Sequence, residues 1–203
     1  MGTRNLQIVI KDGAHRVSKY CQWDGYPSGQ GICALEFVRD GMDEDRLRAN
    51  IDKCEFIDDK EINSIYNDFR PSVIKDDSKT FSEVYPQLQR DMGAEIFGWI
   101  QNSKANRILL KDDIDFAKDG LFCEYAYVID LDKRTFEAYT GGRQAPTEGE
   151  RFASLKPCEH DYGEGGKEVW YPIKCVGTWD FDALPTNAEF YASFNETEEI
   201  ADG

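Results

Sequence analysis

The stretch WDGYPSGQG, residues 23–31, places an aromatic ring, a carboxylate, a proline and three glycines within nine residues. Its end, with Gly29, Gly31 and Ala34, fits the pattern G-x-G-x-x-G/A of dinucleotide-binding turns. That pattern binds a pyrophosphate when a strand of a βαβ unit turns directly into a helix. Here the preceding strand is expected to belong to a hairpin, and residues 24–28 intervene before the helix. We therefore reject a dinucleotide-binding fold.

The glycines retain a simpler possible chemistry, which is anion binding. Glycines at the start of a helix leave backbone N–H groups exposed, and the helix dipole favours a negative charge there. We therefore predict a site for a small anionic ligand, such as a nucleotide, where the first strand meets this loop. Its predicted residues are Arg4, Trp23, Asp24, Tyr26, Ser28, Gly29, Gln30 and Gly31. The sequence leaves an alternative open, in which Ser28 caps the helix and the glycines only form a turn.

Two side chains are candidates for catalysis, Asp24 and Thr3. The carboxylate of Asp24 can act as a base or a ligand, but an aspartate in a turn commonly accepts hydrogen bonds from its own loop. If the hairpin brings Arg4 beside Asp24, the ion pair keeps the carboxylate ionised and weakens it as a base. The sequence does not decide whether the protein is an enzyme.

Two further stretches contain metal-ligand residue types without the spacing that a metal needs. Residues 113–124 lack a ligand and a glycine where a calcium loop requires them. The cluster from Cys158 to Asp161 (CEHD) has no second pair at zinc spacing and is predicted to be a solvated loop. None of the six cysteines forms a CxxC pair, which is typical of a reduced protein. We predict no metal and no cofactor.

The charge of the chain limits its partners. The net charge is −15, from 24 Lys and Arg against 39 Asp and Glu, which argues against direct binding to a nucleic-acid backbone. No segment has a signal-peptide pattern or an apolar run of the roughly 20 residues that cross a membrane. We expect a cytoplasmic protein that binds a small anionic ligand or another protein and has no contact with a membrane.

Hydrophobic periodicity predicts the elements that position these residues. The predicted strands are Leu6–Ile10, Arg16–Trp23, Phe122–Leu131, Thr135–Tyr139 and Val169–Thr178, and the first two form a hairpin. The predicted helices are Ser28–Arg39, one from Asp43, Asp59–Phe69 ended by Pro71, and one along Met92–Ile100. Residues 72–79 and 141–166 are predicted loops. The order indicates an α+β fold, a mostly antiparallel sheet with helices packed on it, in one domain (1–194) with an acidic tail (195–203).

Several of these residues together resemble a known group of proteins. The opening Met1-Gly2-Thr3-Arg4, the later Trp23-Asp24-Gly25-Tyr26-Pro27, the segment Arg90-Asp91-x-Gly93-Ala94 and the stretch LFCEYAYVIDLD are similar to a widespread group of small, uncharacterised phage and bacterial proteins. The resemblance covers most of the chain and implies no particular activity. It implies an accessory protein of a phage or mobile element, which we extend to an expected role in countering host defence.

Two other functions remain open. A chain that begins with a strand and has a motif at its N-terminus resembles the N-terminal-nucleophile hydrolases, which stack two sheets between helices. That reading requires Thr3 to become the first residue, with Arg4 and Asp24 assisting. The other is an interaction protein whose acidic surface engages a basic partner or mimics nucleic acid.

Overall fold

A five-stranded sheet is the centre of the fold. In the computed structural model, which describes residues 2–73 and 80–199, its strands are β1 (Asn5–Lys11), β2 (Ala14–Cys21), β5 (Tyr125–Asp130), β6 (Thr135–Thr140) and β9 (Lys174–Asp180). They lie in the order β2–β1–β5–β6–β9. All neighbours are antiparallel except β1 and β5, which are parallel. The predicted α+β fold with a mostly antiparallel sheet is confirmed, as is the N-terminal hairpin.

Two small sheets and six helices complete the described elements. The small sheets pair β3 (Cys54–Phe56) with β4 (Ile108–Leu110) and β7 (Cys158–Asp161) with β8 (Lys167–Trp170). The α-helices are α1 (Ile32–Glu36), α2 (Glu44–Ile51), α3 (Asp59–Val73), α4 (Phe81–Val84), α5 (Glu95–Asn102) and α6 (Asn187–Glu199). π-Helical turns at Pro27–Gly31 and Phe37–Gly41 flank α1. Short 3-10 turns lie at Pro86–Leu88, Ile114–Lys118, Gly163–Gly165 and Phe181–Ala183.

Local signals account for the starts of two helices. The Asp43 side chain accepts a hydrogen bond from the backbone N–H of Arg46 at 3.0 Å, which caps α2. Asp58 Oδ1 accepts from the N–H groups of Lys60 and Glu61 at 2.9 and 2.8 Å, which caps α3. Both carboxylates accept hydrogen bonds from N–H groups that have no partner inside the helix. Their negative charge also interacts favourably with the positive end of the helix dipole.

The two faces of the sheet are covered differently. Helices α1, α2, α5 and α6 cover one face, where residues such as Val9 and Tyr127 join the larger core. Residues such as Ile8 and Val128 alternate with them on the opposite face, which packs against Phe152 and other residues of loops and short turns. Strand β5 is therefore buried on both faces, as its continuous apolar sequence predicts. The second large sheet of an N-terminal-nucleophile sandwich is not found within residues 2–73 and 80–199.

Three sequence predictions need correction, and a fourth falls mostly outside the described residues. The predicted strand 169–178 is divided between β8 and β9, because residues 171–173 leave the two-stranded sheet before the chain enters the main one. The CEHD cluster is strand β7 rather than a loop. Helix α3 continues past Pro71, since a proline marks a common but not obligatory helix boundary. The predicted loop 72–79 lies outside the described residues from 74 onward.

The C-terminal part has a helical backbone beyond the predicted domain boundary. Helix α6 extends through residue 199, so the first residues of the predicted acidic tail continue it. Residues 200–203 lie outside the described part of the chain. No helix in residues 2–73 and 80–199 has the length and apolar character needed to cross a membrane.

Candidate functional site

The backbone N–H groups of the glycine loop are already bonded within the loop. Gly29 and Gly31 both donate to the carbonyl oxygen of Tyr26, at 2.9 and 3.2 Å, and Gln30 donates to the carbonyl of Asp24 at 2.7 Å. The predicted set of free amides is therefore not present. Ser28 makes no capping hydrogen bond either, so the alternative in which it caps the helix is also not supported.

Close packing explains why glycine occupies these positions. A Cβ atom on Gly31 would lie 2.6 Å from the hydroxyl oxygen of Tyr127, which itself donates to the carbonyl of Gly25 at 2.8 Å. A Cβ atom on Gly29 would meet the carbonyl oxygen of Asp24. Gly31 lets the loop lie directly on the central strand β5, and Gly29 lets the loop fold closely on itself. Spacing alone does not reveal these packing roles.

The glycine loop also contacts the segment of residues 90–94. The side-chain oxygen of Gln30 accepts a hydrogen bond from the backbone N–H of Ala94 at 2.7 Å. Gly93 has φ +57°, and a Cβ atom there would meet the Gln30 side chain. Arg90 donates to the side chain of Gln22, just before Trp23. The two stretches form one packed unit.

Arg4 pairs with a residue that the sequence did not indicate, Glu124. Its backbone N–H donates to Glu124 Oε2 at 2.7 Å and its guanidinium to Oε1 at 3.3 Å, while the guanidinium carbon lies 4.7 Å from the ring centre of Phe122. The cause is the parallel pairing of β1 with β5, which sets Asn5 beside Tyr125. The possible pair with Asp24 is therefore not formed.

Asp24 is exposed at the rim of the loop. Its backbone has φ +55°, a conformation that aspartate tolerates better than most residues. No hydrogen bond to its carboxylate occurs within residues 2–73 and 80–199. Trp23 and Tyr26 are also exposed, with about half of each side chain accessible (51% and 53%).

The N-terminal segment is held beneath this loop. Thr3 is buried, and its carbonyl accepts a hydrogen bond from Gly25 at 2.9 Å. A Cβ atom on Gly2 would lie 2.5 Å from the Trp23 ring, so the chain at residue 2 needs the absence of a side chain. The structure brings Thr3, Arg4 and Tyr26 together, whereas the side chain of Asp24 is directed to solvent.

A surface cavity lies beside this segment, and we call it the junction cavity. It has a volume of about 340 Å³ and is lined chiefly by Thr3, Tyr26, Glu124, Tyr125, Thr140 and Trp170. It opens at one end of the strands of the main sheet, where β1 and β5 begin and β6 ends. Two of the predicted site residues, Thr3 and Tyr26, line it, and Arg4 is bonded to a third lining residue.

Glycines shape the backbone side of the junction cavity. Gly141 donates to the carbonyl of Glu124 at 2.9 Å, and Gly120 donates to the carbonyl of Tyr171 at 3.0 Å. A Cβ atom on Gly120 would lie 2.9 Å from the backbone nitrogen of Gly142, so these segments approach closely only without side chains. The sequence signal for this site is the Gly141-Gly142 pair after a predicted strand, in a segment that is predicted to be a loop.

Two buried donors at this site lack acceptors. The indole Nε1 of Trp170 and the Nε of Arg4 are buried without a hydrogen-bond partner in the described part of the chain. The guanidinium of Arg143 lies over the Trp170 ring, 4.9 Å from its centre. Buried donors without acceptors are uncommon in folded proteins and mark places where a water, ion or ligand supplies the missing atom.

A second polar cluster lies at the opposite end of β5 and β6 from the junction cavity. Arg151 bridges two buried carboxylates, with hydrogen bonds of 2.5 Å to Asp130 and of 2.6 and 3.0 Å to Glu137. The Tyr139 hydroxyl donates to Glu137 at 2.5 Å, and burial raises the pKa of this phenol. Burial lowers the pKa of Arg151, but its bonds to both carboxylates more than offset this and raise it. These contacts tie the loop at 151 to the sheet.

Lys19 is a buried cation on the helix-covered face. It is 3% exposed, it forms no ion pair within the described residues, and burial lowers its pKa. Its neighbour across the hairpin, Gln7, donates to Asn5 Oδ1 at 2.8 Å and has a side-chain oxygen without a partner. Hydrophobic periodicity does not indicate this polar interior, because β2 has polar residues on both of its faces, as an exposed edge strand does.

Candidate metal ligands do not converge. Within residues 2–73 and 80–199, no group of three or more histidine, cysteine, aspartate or glutamate side chains is arranged to hold a metal ion. His160 of the CEHD cluster pairs with Asp119 at 3.0 Å and packs edge-on against Phe122.

Comparison of the chain with protein-family profiles, with characterised proteins and with solved structures finds no match.

Proposed function

We propose that this protein binds a small anionic, nucleotide-like ligand in the junction cavity. The observation that carries the proposal is the buried donor Trp170 Nε1, which lacks an acceptor and belongs to a residue that lines an open cavity with aromatic walls. A second unpartnered donor, Arg4 Nε, lies behind the lining residue Glu124, to which Arg4 is bonded. A ligand that supplies acceptor oxygens satisfies Trp170 Nε1, and the rings of Tyr26 and Tyr125 offer flat apolar surface to a planar group.

The carboxylate of Glu124 complements this arrangement. Arg4 fixes both of its oxygens, so its remaining lone pairs have a defined direction at the cavity wall. A heterocycle with N–H groups on one edge and an anionic substituent elsewhere has donors for Glu124 and acceptors for Trp170. Among the predicted site residues, Arg4 and Tyr26 take part in this proposal, and the glycine loop supports it by packing, whereas the exposed side chain of Asp24 has no part in it.

A thermal-shift screen against nucleotides and cyclic nucleotides tests the proposal. We expect at least one to raise the melting temperature, because a ligand that binds only the folded state stabilises it. Trp170→Phe keeps an aromatic ring but removes the N–H, so it should weaken binding by about two- to tenfold, the value of one hydrogen bond. Trp179→Phe, which changes a ring stacked on Phe136, is the matched control and should bind normally. Failure of every compound to stabilise the protein would refute the proposal.

The biological setting of this ligand is also a proposal. The resemblance to phage and bacterial proteins supports an accessory protein that acts in the host cytoplasm and sequesters a nucleotide signal of host defence. Purified protein should then deplete the ligand found by the screen from a host extract. The Trp170→Phe variant should deplete less of it.

A hydrolase of the N-terminal-nucleophile type is the second candidate, because Thr3 lines the junction cavity. That chemistry requires a free amine on Thr3, which exists only if residues 1 and 2 are removed. Intact mass spectrometry of the mature protein decides: a chain that retains Gly2 excludes Thr3 as an N-terminal nucleophile.

A further inference from the structure

Arg143 occupies a distinctive position at the rim of the junction cavity. It follows Gly142, which lines the cavity, and its guanidinium lies over the ring of Trp170. One nitrogen donates to Glu168 Oε2 at 2.5 Å. The Arg143 side chain is 61% exposed, compared with 19% for Arg4.

The charges around the cavity explain why this position matters. Arg4 is paired with Glu124, and Arg143 is paired with Glu168, so each of these cations already has a carboxylate partner. An anionic ligand therefore has to exchange with one of these carboxylates. The Arg4 pair is the harder to break, because the backbone N–H of Arg4 also binds Glu124. The Arg143 pair is solvent-exposed, and exposed pairs are weak.

We propose that Arg143 is the anion-binding arm of this site and that Glu168 holds it in the ligand-free protein. This inference rests on the proposed function and assigns the ligand a phosphate group. A phosphate at the cavity mouth takes the guanidinium from Glu168, and the planar guanidinium binds two phosphate oxygens at once. No covalent bond is made or broken in this exchange.

Open space lies beside the residue that precedes Arg143. Gly142 has φ +153°, and a Cβ atom there would have no neighbour within 4 Å, so the chain before Arg143 is open on that side. When the guanidinium moves toward the cavity, it also uncovers one face of the indole ring of Trp170. One displacement therefore supplies a cation and frees an aromatic face for a planar group.

Titration calorimetry at low salt with three probes tests this inference: a nucleoside 5′-monophosphate, its parent nucleoside and inorganic phosphate. Glu168→Gln releases Arg143 and should tighten monophosphate binding about two- to fivefold, the value of one exposed ion pair. Arg143→Gln should weaken it about tenfold or more, because it removes a charge-assisted hydrogen bond. Neither change should alter nucleoside binding.

A charge-matched control separates the arm from general electrostatics. Glu159→Gln on strand β7 removes the same charge from an exposed ion pair with Lys167 of the same small sheet. It should leave monophosphate binding within twofold of the wild-type value.

The outcomes distinguish the two proposals. Equal tightening by Glu168→Gln and Glu159→Gln, or full monophosphate binding by Arg143→Gln, overturns the role of Arg143 and leaves the cavity as a ligand site. Absence of binding of every probe to both the wild-type protein and Glu168→Gln overturns the nucleotide ligand and this inference with it.

Discussion

Replacement of Gly31 by alanine tests whether the glycine loop serves packing. Gly31 has helical angles, φ −62° and ψ −51°, so alanine fits the backbone without strain. The added Cβ would lie 2.6 Å from the hydroxyl oxygen of Tyr127 and 2.7 and 2.8 Å from two of its ring carbons. These distances are well inside van der Waals contact, and Tyr127 is fully buried, so either the ring or the loop has to shift.

The expected effect is a loss of stability. Overpacking of a filled core costs about 1–3 kcal/mol. Alanine in place of glycine in a helical position returns about 0.5–1 kcal/mol. We therefore expect the Gly31→Ala variant to lose about 1–2 kcal/mol of unfolding free energy, measured by urea denaturation monitored by circular dichroism.

Two further variants make this test decisive. Gly98→Ala in helix α5 is the matched control, because its Cβ would meet only Phe37 at an ordinary 3.9 Å, and it should be slightly stabilising. Tyr127→Leu removes the ring that the new Cβ meets, so in that background Gly31→Ala should cost much less. If Gly31→Ala stabilises the protein as Gly98→Ala does, the packing explanation for this loop is refuted.

Three other predictions follow from buried groups. Arg151→Leu should cost about 3–5 kcal/mol by urea denaturation, because it leaves two buried carboxylates without a cation, whereas Arg107→Leu at an exposed pair should change stability little. Lys19→Met should raise stability at neutral pH. Burial holds the folded-state pKa of Lys19 below its usual 10.5, so the part of the gain that comes from removing the charge should shrink as the pH rises toward that value and be absent above it. A thiol reagent should label the exposed Cys33 first in the folded protein, and Cys54, whose pKa burial raises to about 12, only on unfolding.

Much of the local structure was predictable from the sequence. The hairpin, the doubly buried strand β5 and the helices α2 and α3 follow from hydrophobic periodicity and from the caps at Asp43 and Asp58. Each of these depends on residues close together in the chain. The sequence also predicts the helix that begins near Ser28, where the structure has a π-helical turn (Pro27–Gly31) followed by α1.

The partners of the candidate site were decided only by the tertiary structure. Arg4 meets Glu124 because β1 pairs with a strand about 120 residues later, and no local pattern specifies that neighbour. The free amides failed as a prediction because the loop folds back on its own carbonyls, and Gly31 meets the ring of Tyr127 from that same distant strand. Trp170 is distant in sequence from the stretch WDGYPSGQG, yet it lines the same cavity as Tyr26 of that stretch. The sequence by itself determined the elements with strong local signals, such as the hairpin, strand β5 and helix α2, whereas non-local strand pairing decided which side chains form the cavity.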